Sequence, residues 1–127
     1  MDINYIEKGS GTPLILLHGN GEDSSYFSNQ IVYFSKEYRV IAIDSRGHGK
    51  SERGEEPLSL KQFAKDLKAF MDEKGIEKAN ILGFSDGANV AILFALRYPK
   101  MVDKLILNGA NLFPSGVKNR YQMPIEV

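Results

Sequence analysis

An α/β fold, with a mostly parallel sheet and helices on both faces, is predicted by three observations. Apolar runs at Leu14–Leu17, Val40–Ile43, Ile81–Leu82 and Leu105–Leu107 are continuous rather than alternating, the pattern of strands buried on both faces. Helical patterns near 24–36, 60–74 and 86–98 fall between those runs, which gives a βαβαβαβ order with right-handed crossovers. Polar, glycine-rich loops follow the runs, at the strand ends where an open parallel sheet binds its ligands.

Taken in order, Ile3 to Glu7 and the turn Gly9-Ser10-Gly11-Thr12-Pro13 read as a short leading strand and its exit. Leu14–Leu17 is the first parallel strand and runs into His18-Gly19-Asn20-Gly21, after which a helix is expected over 24–36. Val40–Ile43 is the second, followed by Asp44-Ser45-Arg46-Gly47-His48-Gly49. The clearest helix spans 60–74: Ser59 can cap it, Leu60, Phe63, Ala64, Leu67, Phe70 and Met71 share one face, and Gly75 stops it. Its Lys and Asp residues are expected on the opposite, solvated face. Residues 79–82 end the third strand, and 88–96 is apolar on every side, as befits a buried helix closed by Tyr98-Pro99. Leu105–Leu107 is the fourth strand and leads into Asn108-Gly109-Ala110-Asn111.

The composition narrows the function classes. A chain of 127 residues makes one domain, 1–127, that can bury about 65% of its unfolded surface. Sixteen basic residues balance sixteen acidic ones, and no Lys/Arg cluster is dense enough for a nucleic-acid partner. The absence of cysteine excludes a disulfide framework and a thiol nucleophile. A polar start, Met1-Asp2-Ile3-Asn4, is unlike a signal peptide, so a cytoplasmic location is expected. The longest apolar run is about half of what crosses a bilayer, so no membrane partner is expected. Two histidines, His18 and His48, are too few and too far apart to suggest a metal site, and no cofactor is implied.

Gly83-Phe84-Ser85-Asp86-Gly87 carries the most specific chemistry. It puts a serine between two glycines where an apolar strand gives way to an apolar helix, the design of a nucleophile elbow, in which flanking side chains would collide and the hydroxyl is left exposed. The competing reading makes Ser85 only the N-cap of the following helix.

With these motifs in place, the chain resembles the N-terminal portion of an α/β-hydrolase. His18-Gly19-Asn20 is similar to that family's oxyanion loop, Asp44-Ser45-Arg46-Gly47-His48-Gly49-Lys50-Ser51 to its D-x-R-G-x-G-x-S loop, and Gly83 to Gly87 to its elbow. The Ser-Asp-Gly elbow and Asn108-Gly109-Ala110-Asn111 are similar to the biphenyl-hydrolase-like branch, which includes valacyclovir hydrolases. The resemblance implies a serine hydrolase in which Ser85 attacks a small-molecule ester or amide and the N–H groups of Asn20 and Asp86 hold the oxyanion. It makes His18, Gly19, Gly83, Gly87, Asp44, Arg46 and His48 structural residues near the site. Asp86, a carboxylate in the first turn of a helix, is also a candidate to bind an ammonium group of the substrate.

The same resemblance places the catalytic acid and histidine after later strands, so that 1–127 is a partial domain without cap or C-terminal strands. A nucleophile without its base is expected to be nearly inactive alone. The 104–108 strand is then expected to be a bare sheet edge, open to self-association or to a complementing chain. Two alternatives remain open: a non-catalytic binding module of the same architecture, and a dinucleotide-binding domain using Gly19-Asn20-Gly21-Glu22-Asp23-Ser24 with Asp44.

Overall fold

Each continuous apolar run becomes a strand that is covered on both sides. The structure is a computed structural model that describes residues 2–108 and the backbone of residues 122–126. Its strands are β1 (Tyr5–Lys8), β2 (Pro13–Leu17), β3 (Arg39–Ile43), β4 (Ala79–Phe84), β5 (Val102–Asn108) and β6 (Gln122–Glu126). They form a single sheet in the order β1-β3-β2-β4-β5-β6. The four middle strands are parallel, with Leu14 opposite Val40 and Leu17 opposite Gly83. The outer two run antiparallel to their neighbours.

Helices cover both faces, as the sequence predicts. On one side α2 (Leu60–Glu73) and α3 (Asp86–Arg97) press Leu67, Met71, Ala91 and Phe94 onto Ile15, Ile41, Ile81 and Leu105. On the other, a 3₁₀ turn (Ser24–Phe27) and α1 (Ser28–Phe34) bring Phe27 and Ile31 to Leu14, Leu16, Val40 and Ala42. Removing a side chain of this size from water contributes about 1.5–3 kcal/mol, and the two layers together fix where the strand ends lie. Ser59 caps α2 by accepting the Gln62 N–H at 3.0 Å, and Gly75, at φ 69°, follows its end.

Three expectations need correction. The 24–36 helix is broken, because Asp23 caps a separate 3₁₀ turn through the Ser25 N–H and Phe27 leaves helical geometry (φ −96°, ψ 19°) where its ring enters the core. The leading strand, expected over Ile3 to Glu7, is displaced to Tyr5–Lys8, where it pairs antiparallel with β3. Most consequentially, 104–108 is not a bare edge: β6 pairs with it antiparallel, Lys104 opposite Glu126 through Asn108 opposite Gln122. Antiparallel backbone bonds occupy the outer side of β5, so that edge is unavailable for the pairing that an uncovered strand would invite.

Candidate active site

The tight turn after β4 is built by close packing of backbone. A Cβ on Gly83 would lie 2.6 Å from the Ala88 Cα, and one on Gly87 would lie 2.7 Å from the His18 carbonyl oxygen and collide with that of Leu17. Only glycine lets α3 start this near the end of β2. Between them, Ser85 is the sole non-glycine residue of positive φ among those described, at φ 56°, ψ −118°. Such a conformation costs on the order of 1–3 kcal/mol and persists only where its surroundings enforce it. Here they do: the Ser85 N–H donates to Asn108 O at 2.7 Å, and its carbonyl accepts from Ala88 N–H at 2.9 Å.

Although Ser85 stands at the N-cap position of α3, its side chain makes no capping bond. The reading of Ser85 as a mere helix cap therefore fails, and its half-buried hydroxyl is not committed to the helix. Asp86, also half-buried, is the acidic residue in the first turn of α3, where the helix dipole favours negative charge.

The loop after β2 lies against this turn. A Cβ on Gly19 would sit 3.2 Å from Ser85 Cβ. A cavity of about 20 Å³, room for one water-sized group, opens between the loop and α3 and is lined by His18, Gly19, Asn20, His48, Asp86 and Gly87 among others. A roomier cavity of about 270 Å³, lined by Asp2, Ile3, Asp66 and Lys74, includes none of the elbow residues.

The two histidines differ in how far their ring nitrogens are engaged. His18 is buried; its Nδ1 lies 2.7 Å from Gly19 O, and its Nε2 accepts the Ser45 N–H at 2.9 Å. That pair assigns the proton to Nδ1. Burial is the main cause of a pKa below the usual histidine value, with the neighbouring His48 adding to it. His48 faces Arg46 O through Nδ1 at 3.0 Å, and its ring packs 5.1 Å from that of His18 and 6.1 Å from that of Phe63.

The loop after β3 is organised by two buried charges. Asp44, 2% exposed, accepts from Ser24 N–H at 2.7 Å, Asn4 Nδ2 at 2.8 Å and Lys50 N–H at 3.0 Å. Burial pushes its carboxyl upward, but these donors outweigh it and hold the pKa below the ordinary value. Arg46 forms a two-toothed pair with Asp66, at 2.9 and 2.8 Å, and reaches Glu56 at 2.9 Å. Asp66 is therefore not on a solvated face of α2 as the periodicity suggested: its side chain is 14% exposed because it neutralises a buried guanidinium.

Sequence reasoning missed Asn4, Ser24, Glu22 and Asp66 as partners of the residues it found. Glu22 alone had a local signal, lying three residues after Gly19 in a turn. The others come from distant segments or from the far side of a helix. The dinucleotide alternative loses its anion site, since the carboxylates of Asp44 and Asp23 already take the first two N–H groups of the turn it would need. Asn111, with residues 109 and 110, lies outside the described residues. Among the described residues no cluster of acidic, histidine or cysteine side chains could hold a metal, and no helix is long and apolar enough to cross a membrane.

Comparison with known proteins agrees with this geometry. Residues 12–125 match the family model of the alpha/beta hydrolase fold. The chain is 37% identical to a 2-hydroxy-6-oxo-6-phenylhexa-2,4-dienoate hydrolase of Comamonas testosteroni, over 98% of this chain and 44% of that one. Among solved structures it superposes on a meta-cleavage product hydrolase of Pseudomonas fluorescens (TM-score 0.81, 39% identity, 85% of this chain and 41% of that one). It also superposes on a thermophilic esterase of Thermogutta terrifontis (TM-score 0.84, 30% identity, 88% and 42%). The chain thus spans less than half the length of these relatives.

Two outcomes follow from this packing. Gly87→Ala should cost about 3 kcal/mol by urea unfolding, because the new methyl must displace β2 or α3 backbone; a change under about 1 kcal/mol would mean that the approach is slack. His18 should titrate below 6.5 with its neutral proton on Nδ1 in ¹⁵N-edited spectra. The stability it contributes is then complete above the unfolded value of about 6.5 and is lost as pH falls through the lower folded value. A folded pKa above 6.5, or a proton on Nε2, would contradict the assignment.

Proposed function

The chain belongs to the alpha/beta hydrolase fold family, and on that premise we propose that it carries the nucleophile and oxyanion hole of a serine hydrolase acting on small-molecule esters or amides. Ser85 Oγ attacks the substrate carbonyl carbon, its proton passing by way of water to the leaving oxygen or nitrogen, and the carbonyl oxygen becomes an oxyanion. Collapse of the tetrahedral species expels the alcohol or amine and leaves an acyl-enzyme, which water hydrolyses. The observation that carries this reading is the strained, uncapped Ser85 held at positive φ between two glycines that no other residue could replace without collision.

The N–H groups of Asn20 and Asp86 are the proposed oxyanion donors. Both residues line the small cavity beside the elbow, and Asp86 opens α3, where main-chain N–H groups lack partners within the helix. Each such donor is typically worth about 3 kcal/mol in the transition state. His18, Gly19, Asp44, Arg46 and His48 then serve the site by shaping its loops. Residues 1–127 make up the N-terminal portion of such a domain in this reading, and a cytoplasmic location accompanies it, supported by the lack of cysteine.

With both ring nitrogens of His18 engaged and no bond to Ser85 from His48, whose ring meets those of His18 and Phe63, the chain by itself should hydrolyse p-nitrophenyl acetate only feebly, on the order of 10³ above water. It should still take up one fluorophosphonate per chain, lost in Ser85→Ala, by intact mass. Labelling that survives Ser85→Ala would remove the serine from the mechanism. Brisk turnover would show that a base is supplied after all.

For the ammonium role of Asp86, Asp86→Asn should slow the acylation burst with the p-nitrophenyl ester of glycine by about 10-fold or more, the value of a charge-assisted hydrogen bond. The acetate ester should be little affected. Equal slowing of both would leave Asp86 to the helix dipole.

A further inference from the structure

One residue, Glu22, grips both sides of Gly19. Its carboxylate accepts the Gly19 N–H at 3.0 Å, and its own N–H donates to the Gly19 carbonyl at 3.2 Å. His18 Nδ1–H donates to that same carbonyl at 2.7 Å. A trans peptide is planar, with C=O and N–H pointing in opposite directions. The donors that hold the Gly19 carbonyl therefore also set the direction of the next amide, Asn20 N–H, which must point away from them.

Glycine has no side chain to restrict its backbone, so without such restraints this peptide could flip. The restraints are also local to the reacting centre: a Cβ on Gly19 would sit 2.9 Å from Glu22 Oε1 and 3.2 Å from Ser85 Cβ. Carboxylate and serine thus flank the same glycine. A negative charge there opposes any chemistry that develops an oxyanion, so its presence calls for an offsetting role.

We propose that Glu22 is a positioning residue of the oxyanion hole: its side chain fixes the peptide before Gly19 through the Gly19 N–H, its backbone N–H and His18 fix the peptide after it through the Gly19 carbonyl, and with both peptides held the Asn20 N–H is the amide presented beside Ser85. The proposal rests on the serine-hydrolase reading of Ser85, Asn20 and Asp86. What matters in Glu22 is an acceptor at the reach of its side chain, not its charge.

Phenylboronic acid tests it at equilibrium, without turnover. Ser85 Oγ forms a bond to boron, the hydroxyl proton leaves to buffer, and the resulting tetrahedral boronate carries its anionic oxygen where the oxyanion would lie. Binding to the ¹⁵N-labelled chain is read by titration together with the amide shifts of Asn20 and Asp86. Glu22→Gln, which keeps an acceptor oxygen at the same reach, should bind within about 3-fold of the unsubstituted chain. Glu22→Ala, which removes the acceptor, and Glu22→Asp, which withdraws it by one methylene, should bind at least about 10-fold more weakly, a fraction of what losing a whole donor costs. The adduct-induced Asn20 shift should shrink in both, and Gly19 N–H exchange should quicken while Ile15 and Leu16 stay protected. Should Glu22→Ala fail to fold, Glu22→Asp carries the comparison. Unchanged affinity and Asn20 shift in Glu22→Ala or Glu22→Asp would overturn the proposal, and so would a Glu22→Gln as weak as Glu22→Ala. Binding that is absent from the unsubstituted chain, or retained in Ser85→Ala, would instead overturn the serine-hydrolase reading and this proposal with it.

Discussion

The close backbone approach between the end of β2 and the first turn of α3 governs everything around it. The missing side chain at Gly87 lets helix backbone rest on the Leu17 and His18 carbonyls, and Gly83 does the same for the strand beneath. Neither contact is an attraction of any size; both are absences of repulsion. With the helix start placed so low, the chain cannot turn from β4 into α3 through an ordinary conformation, and the one intervening residue takes up the difference at positive φ. A serine in that position is held with its hydroxyl off the helix axis and without a capping bond. The apolar character of α3 belongs to the same constraint, because a helix seated on the middle of a sheet is enclosed by it.

Around this contact the polar loops are held by charges that are fully engaged. Asp44 gathers three segments, through the side-chain amide of Asn4 near the start of the chain and the backbone N–H groups of Ser24 in the first loop and Lys50 in the second. Arg46 fastens the same loop to α2 through Asp66. No buried side-chain nitrogen or oxygen among the described residues lacks a hydrogen bond. Such satisfied networks rigidify what they connect, which suits loops whose backbone amides are the proposed oxyanion donors. His18 belongs to this framework: one ring nitrogen orients Gly19 and the other holds Ser45, so its function is geometric.

Much of this could be read from the chain. Continuous apolar runs do not depend on partners for their meaning, so β2, β3, β4 and β5 and the parallel order emerged from local pattern alone. The elbow was legible because its two glycines answer a local steric demand, and α2 because its cap, stripe and stop agree. What escaped had no local cause. Asp66 looks like any charge on the outer face of an amphipathic helix until Arg46 is brought against it from a strand end. The break at Phe27 follows from a ring drawn into the core, overriding a helical pattern that would otherwise have run on. β6 was invisible because Gln122–Glu126 has little apolar pattern and owes its strand geometry to pairing with β5.

The bond from the Ser85 amide to Asn108 O, 2.7 Å long, ties the serine to the last residue of β5, more than twenty positions further along the chain. Until β5 is in place Ser85 lacks this partner, one of the restraints that hold its strained geometry. The arrangement also makes the bond a mechanical linkage. Tension on the chain following Asn108 is delivered, through a single carbonyl, to the backbone of the residue that stores the most conformational strain. Whatever draws on Asn108 therefore has a direct physical hold on the Ser85 backbone, without touching its side chain.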